Sequence, residues 1–423
     1  MLKVGESANY FMEKLFKYLI IGGGIAGTSA VEAIRAIDAR GSIAIVSDEP
    51  YRLYSRIMLS KPNFFLEKIP FDTIWLKKES WYQENSISFI FGKSATALDS
   101  KNKTVILNDG EKIHYEKLLL AIGGCARKLT VPGAEKKGVF VLRTLDEARA
   151  IIAGTKTARR AIAIGGGFVS FEMCEMLRMA GIEVTLCIRK ERYWKDLLDE
   201  TSALLIEEAL HNGGVAIEKG VEVAEFTGSD SIDGVLLNDG RKIPCEMAIV
   251  GIGLLCPFSW IQAAGISVHR GIIGNEYLET NISDIWTAGD AAEFNDSILG
   301  ETIQLGNWVN AQMQGRIAGR NMTGKKEPFR LVSFYTTQGF GITIAFVGDA
   351  RPLLNRTIIT RGSRKENSFV RMLIHKERVV GATLINRSKE ISVISKIIEK
   401  RISIAGKEKE LSDLSHNLSS FVQ

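Results

Sequence analysis

Two glycine-rich turns of one kind, Gly22-Gly23-Gly24-Ile25-Ala26-Gly27 and Gly165-Gly166-Gly167-Phe168-Val169-Ser170, lie far apart on the chain. Each follows a short apolar run and precedes a helical pattern. One such turn says little, because the glycine spacing arises readily by chance. Two in the same strand-to-helix setting point to two nucleotide sites, and hence to an α/β chain with two Rossmann-like units.

In the first copy each glycine has a physical task. Tyr18 to Ile21 read as the strand, and Ala30, Ala33, Ile34 and Ile37 share one face of the helix that follows. Gly22 permits the tight turn, Gly24 lets the backbone approach a pyrophosphate, and Gly27 lets helix and strand pack closely. Ile25 and Ala26 open the helix, whose bare N-terminus faces the phosphates. A second strand, Ser42 to Ser47, ends at Asp48, where an acid accepts hydrogen bonds from an adenosine ribose.

The second copy is less regular. Ala161 to Ile164 read as its strand and Phe171 to Met179 as its helix, with Ser170 in place of the third glycine. The next strand, Val184 to Ile188, is followed by Arg189 and Lys190 where an NAD site carries an acid. Two cations there suit a 2′-phosphate and so favour NADPH. Arg189, Lys190, Glu191 and Arg192 read equally well as a solvated charge cluster.

At 423 residues the chain has room for two or three domains. No apolar run approaches the roughly 18 residues needed to span a bilayer, and the first 16 positions mix Lys3, Glu6, Glu13 and Lys14 among apolar residues without a signal-peptide core. A cytoplasmic location follows. Cys125, Cys174, Cys187, Cys245 and Cys256 are scattered and contain no CxxC or CxxxxC pair, which excludes the common redox disulfides and metal knuckles. The net charge of +5 is spread along the chain, which argues against nucleic acid and suits an acidic protein partner.

Both units repeat one order of elements. The first ends in a hairpin, Thr104 to Leu107 and Lys112 to His114 about Asn108-Asp109-Gly110, then a closing strand Lys117 to Ala121. A helix over Asp146 to Ala153 precedes the second unit, which ends in Gly234 to Leu237, Lys242 to Ile243 and a closing strand Met247 to Val250. The chain then returns: Ile285 to Ala288 form a strand, Gly289 turns, Asp290 opens a helix at Ala291-Ala292, and a long helix runs from Asn307 to Asn321. The tail holds strands Gly341 to Val347, Phe369 to Ile374 and Val379 to Leu384, and a helix Glu390 to Lys400. The domains are therefore 1–125 and 252–328 as two parts of one dinucleotide-binding domain, 126–251 as the other, and 329–423 as a smaller C-terminal α+β domain.

The series Asp48-Glu49-Pro50, Tyr54-Ser55-Arg56, Leu59-Ser60-Lys61, Ala121-Ile122-Gly123, Leu142-Arg143-Thr144, Thr287-Ala288-Gly289-Asp290 and Gly381-Ala382-Thr383-Leu384-Ile385, taken with the two turns, resembles the FAD-dependent pyridine-nucleotide oxidoreductases. The similarity is to their ferredoxin-reductase-like branch, and it covers nearly the whole chain. It implies FAD on the first unit, held by Gly22, Gly24, Ile25, Ala26, Gly27, Asp48, Glu49, Ala121, Gly123 and Gly289, with Arg56 and Lys61 near pyrophosphate and flavin, Asp290 on the ribityl chain, and Arg143 against the flavin. It implies NAD(P)H on the second unit, with Gly165, Gly167, Phe168, Val169, Arg189, Lys190, Gly251 and Gly253 about it. By the same resemblance Glu172 pairs with Lys61 beside the flavin, and Trp308 approaches the isoalloxazine, although core packing accounts equally for that tryptophan. Ile122 stands where relatives have threonine, and Gly306 where many have an acid.

The implied activity carries electrons from NAD(P)H through FAD to an acidic ferredoxin- or rubredoxin-type protein, with no thiol in Tyr54 to Lys61 to relay them. Two alternatives stand beside it: an NAD(P)H oxidase or quinone reductase, and a flavin-binding subunit of a larger complex that has lost nucleotide binding. The C-terminal domain is read as a partner surface or a homodimer interface.

Overall fold

Tyr18, Leu19, Ile20 and Ile21 are buried on both faces of the sheet, as the central strand of a parallel sheet requires. In the computed structural model, which describes residues 14–195 and 197–423, they belong to Lys14–Ile21. Lys3, Glu6 and Glu13, read as part of a segment without a signal-peptide core, lie outside the described residues. Lys14–Ile21 pairs in parallel with Ile43–Val46 on one side and Lys112–Leu120 on the other. The sheet has seven strands, because Ile285–Thr287 returns from far along the chain to lie parallel to the C-terminal half of Lys112–Leu120.

A second, five-stranded sheet is parallel throughout, in the order Val215–Lys219, Glu183–Ile188, Arg160–Ile164, Met247–Val250, Val139–Phe140. The chain crosses between the sheets twice, and the two crossings pair as an antiparallel ribbon, Cys125–Ala126 with Leu254–Leu255. A third sheet of five antiparallel strands, Phe334–Gly339, Ile342–Gly348, Arg378–Ile385, Ser368–His375 and Thr357–Ser363, is backed by the helix Ile391–Glu399. The fold is α/β, with two Rossmann-like units and a C-terminal α+β part.

Several elements differ from the sequence reading. The hairpin return and closing strand of the first unit are one continuous strand, Lys112–Leu120; in the second unit Lys242–Pro244 and Met247–Val250 stay separate, since Pro244 has no N–H to extend the ladder. No helix starts at Asp290. Ala292–Asp296 is a strand between Ile272–Gly274 and Glu301–Ile303, and two ladders of hydrogen bonds outweigh the helix propensity of Ala291-Ala292. The helix after the second glycine turn starts at Phe168, directly after Gly167, rather than at Phe171. The tail carries two further strands, Phe334–Gly339 and Thr357–Ser363, beyond the three read from the sequence.

The helices Ile25–Arg35 and Trp308–Met322 meet backbone to backbone. A Cβ on Gly315 would lie 2.1 Å from the Ala26 carbonyl oxygen, and one on Gly319 would lie 2.4 Å from that of Ala30. This contact carries the return segment, and with it Gly289 and Asp290, onto the first glycine turn.

In the C-terminal sheet Asp349 is fully buried. Burial works against its charge, but hydrogen bonds from Arg351 (2.6 Å) and Arg356 (2.8 Å) overcome this and hold the carboxyl at about 2. A carboxyl depressed on folding stabilises above its unfolded pKa, and that contribution is lost as pH falls through the folded value. Asp349→Asn is therefore expected to cost about 2 kcal/mol at neutral pH, with the difference from wild type vanishing as pH drops from about 4 to 2. Denaturant unfolding at a series of pH values measures this, and a pH-independent difference would assign the effect to packing instead.

Candidate functional site

The first turn separates glycines that the protein needs from one that it does not. Gly22 has φ +119°, and a Cβ there would lie 2.1 Å from the Ala121 carbonyl oxygen; at Gly27 a Cβ would lie 2.0 Å from that of Gly22. At Gly24 a Cβ would meet nothing within 4 Å. Gly24 is the N-cap of Ile25–Arg35, with no side-chain capping bond and no acid in the first turn, so the helix offers free amides and positive potential to open space. Beside it, Gly289 N–H donates to Gln314 Oε1 at 2.8 Å, while the Nε2 of the fully buried Gln314 finds no partner among the described residues. Free amides, open volume and an unpartnered buried donor fit the phosphates of a bound dinucleotide.

Asp48, at the end of its strand, is exposed. Glu49 instead accepts from Tyr54 (2.7 Å) and Arg56 (2.6 Å). Arg56 also donates to the Arg143 carbonyl oxygen, and Arg143 pairs with Asp290 at 2.9 Å while its Nε donates to the Gly124 carbonyl at 2.9 Å. Arg56, Arg143 and Asp290 thus come together, in a charge network that also includes Glu49. A Cβ on Gly123, at φ +59°, would lie 3.2 Å from Arg143 Nη2, and one on Gly306 would lie 3.3 Å from Asp290 Oδ1. The absence of an acid at 306 leaves Asp290 its space. Trp308 is half-buried at the start of its helix, where Asn307 caps the Asn310 N–H at 2.8 Å.

The second turn repeats the design with one exchange. Gly165 has φ +116°, and its Cβ would lie 2.3 Å from the Gly251 carbonyl oxygen; Gly167 is open, with that same oxygen nearest at 3.7 Å. Ser170 is fully buried, its Oγ 3.3 Å from the Ile164 carbonyl oxygen. A Cβ on Gly251 would come within 2.5 Å of that Oγ, so the small residue omitted at 170 is supplied at 251. Phe168 and Val169 open the helix, again without an acid in its first turn. Gly253 sits at φ +102° with open space beside it. Ile188 is core, and past it the exposed Arg189 lies 3.6 Å from Glu222, while the Lys190 carbonyl accepts from the Gly220 N–H.

On the helix that opens from the second turn, Glu172 is 6% exposed and its carboxylate has three donors. Lys61 Nζ is 2.5 Å from Oε1, Thr337 Oγ1 donates to Oε1 at 2.8 Å, and Ser60 Oγ donates to Oε2. The sequence reading paired Lys61 with Glu172; it missed Ser60, although that residue adjoins Lys61, and it missed Thr337. All five cysteines are free, and burial pushes Cys187 and Cys245 up to about 12 and Cys256 up to about 11, so these thiols stay protonated at neutral pH.

Residues 16–315 match the pyridine nucleotide-disulphide oxidoreductase family, and 334–422 match the reductase C-terminal domain. The chain belongs to the pyridine nucleotide-disulphide oxidoreductases. Among relatives of this oxidoreductase, the ferredoxin–NAD(+) reductase component of a biphenyl dioxygenase system from Paraburkholderia xenovorans is 28% identical, over 94% of this chain and 96% of its own. The ferredoxin reductase subunit of a 5,5′-dehydrodivanillate O-demethylase from Sphingobium is 31% identical, over 89% and 91%. A ferredoxin reductase structure from Rhodopseudomonas palustris superposes with TM-score 0.88 at 26% identity, over 96% of this chain and 100% of that one. Among the described residues of this oxidoreductase no helix is long and apolar enough to cross a membrane.

Proposed function

We propose that this oxidoreductase takes electrons from NAD(P)H into FAD and passes them to an acidic ferredoxin- or rubredoxin-type carrier in the cytoplasm. The observation that carries the reading is the Lys61–Glu172 pair, which ties the segment after the first dinucleotide turn to the helix that opens from the second. Relatives named as ferredoxin–NAD(+) reductases support it, as does the net charge of +5, which favours encounter with an acidic partner. When bound, FAD supplies the capacity to accept a hydride and to release electrons singly.

In this reading residues 1–125 and 252–328 hold FAD: Gly22, Gly24 and Gly27 shape the phosphate cradle, Ile25 and Ala26 present amides, and Asp48 accepts from the ribose. Glu49, Arg56, Ala121, Gly123, Arg143, Gly289 and Asp290 enclose the rest, and Trp308 covers the flavin. Residues 126–251 hold NAD(P)H across Gly165, Gly167, Phe168, Val169, Gly251 and Gly253. Lys61 and Glu172 are the charged pair at the meeting of the two cofactors.

Anaerobic mixing with NADH or NADPH, followed by addition of a ferredoxin, tests the function. Flavin bleaching and then carrier reduction is the expected sequence, and bleaching by neither nucleotide would sink the reading. Arg189 and Lys190 are the groups that favour NADPH. Replacing both with alanine is expected to lower kcat/KM for NADPH by about tenfold or more, the worth of one charge-assisted hydrogen bond, and to change that for NADH by less than about twofold. Equal losses with both nucleotides would remove these two cations from the 2′-phosphate site.

A further inference from the structure

We infer that Thr337 is a positioning residue for Glu172, so that the C-terminal sheet completes the site where the two cofactors meet; this rests on the reductase reading above. The strand Phe334–Gly339 lies along the helix Phe168–Met179, and the two repeats match. Helix residues four apart are about 6 Å apart along the axis, and strand residues two apart are about 6.6 Å apart. The inward positions Tyr335, Thr337 and Gly339 therefore meet successive turns of the helix. The Tyr335 and Phe168 rings are 4.2 Å apart, Thr337 Oγ1 lies 2.8 Å from Glu172 Oε1, and a Cβ on Gly339 would lie 3.4 Å from Glu175 Oε2, pressing on the way within 2.7 Å of the Phe171 ring. Phe340 N–H then donates to Glu175 at 2.6 Å, one turn beyond Glu172.

Thr337 differs from the other two donors in stiffness. Lys61 reaches Glu172 on a long, rotamer-rich side chain that is 32% exposed, and Ser60 comes from the same short segment. Thr337 is 1% exposed, is β-branched with a restricted χ1, and sits in a five-stranded sheet. A hydroxyl buried this deeply is costly unless hydrogen-bonded, and the Glu172 carboxylate satisfies it. Two donors on Oε1 and one on Oε2 leave the carboxylate a single orientation, with its Oε1 shared between Lys61 and a fixed point on the C-terminal sheet. Glu172, and through it Lys61, is thus tied to the C-terminal sheet by Thr337 as well as to its own segment by Ser60.

The test is anaerobic stopped-flow reduction of the FAD-loaded protein by NADH and NADPH, for Thr337→Val, Thr337→Ala and Thr337→Ser. Val keeps the shape and removes the hydroxyl. It is expected to lower the limiting reduction rate about tenfold, while FAD content stays at the wild-type level and the nucleotide dissociation constant moves by less than about twofold. Ser is expected to restore most of the rate, and Ala serves if Val packs badly. In a Glu172→Gln background Thr337→Val should have little further effect, because the two act as one unit. A wild-type limiting rate in Thr337→Val, or an undiminished loss in the Glu172→Gln background, would overturn the inference while leaving the reductase reading intact. A wild-type holoenzyme that neither nucleotide reduces would overturn both.

Discussion

Gly24→Val is expected to give a folded but colourless protein. The backbone at Gly24, φ −75° and ψ −168°, is extended and open to any residue, and a Cβ there meets no protein atom within 4 Å. The fold itself loses only the difference between glycine and valine at an N-cap, on the order of 1 kcal/mol. The space that valine fills is the space between free helix amides and the phosphates they would bind, so FAD affinity is expected to fall by at least about 100-fold, equivalent to roughly 3 kcal/mol. Gly22→Ala makes the contrast. Its Cβ would be driven to 2.1 Å from the Ala121 carbonyl oxygen at φ +119°, so that variant loses thermal stability whether or not a cofactor binds. Flavin absorbance of the purified proteins, read beside their unfolding temperatures, separates the two effects. A yellow Gly24→Val protein would place the phosphate site elsewhere.

The sequence exposed those parts of the fold whose cause is local. Strand, glycine turn and helix are written within about 20 consecutive residues, because the turn needs glycine and the flanking periods are strong. In the second copy the third glycine is replaced by Ser170, whose tolerance depends on Gly251 opposite it, a partner that no local pattern reveals. Ala291-Ala292 favour a helix opening at Asp290, and the strands that pair with Ala292–Asp296 override that local preference. The partner of Asp290, Arg143, lies 147 residues away in the sequence, and Thr337 is 165 residues from Glu172. Such contacts are set by how three sheets pack, and no period or spacing within one segment encodes them. Thr337 was further hidden because Phe334–Gly339 alternates buried and exposed positions through Tyr, Thr and Gln, a pattern too polar to stand out as a strand.

Glu172→Ala is expected to retain FAD and to be reduced about 100-fold more slowly at saturating NAD(P)H. The carboxylate joins Lys61, Ser60 and Thr337, so its loss leaves three donors without their shared acceptor. Thr337 is shielded from water, but Ser60 is only half-buried and Lys61 is 32% exposed, so both can rehydrate, which keeps the stability cost near the low end, about 1 to 2 kcal/mol. The kinetic cost is larger because hydride transfer tolerates little displacement: the reacting atoms must approach to about 3 to 3.5 Å, and a misplacement of about 1 Å costs on the order of 100-fold. A double variant, Lys61→Met with Glu172→Gln, distinguishes these effects. With the charge pair removed together, no ion is left unpaired, so unfolding stability should return toward wild type while the limiting reduction rate stays low. If the double variant recovered both stability and rate, the pair would be structural cement between the two lobes; if Glu172→Ala reduced as fast as wild type, neither charge would belong to the reaction.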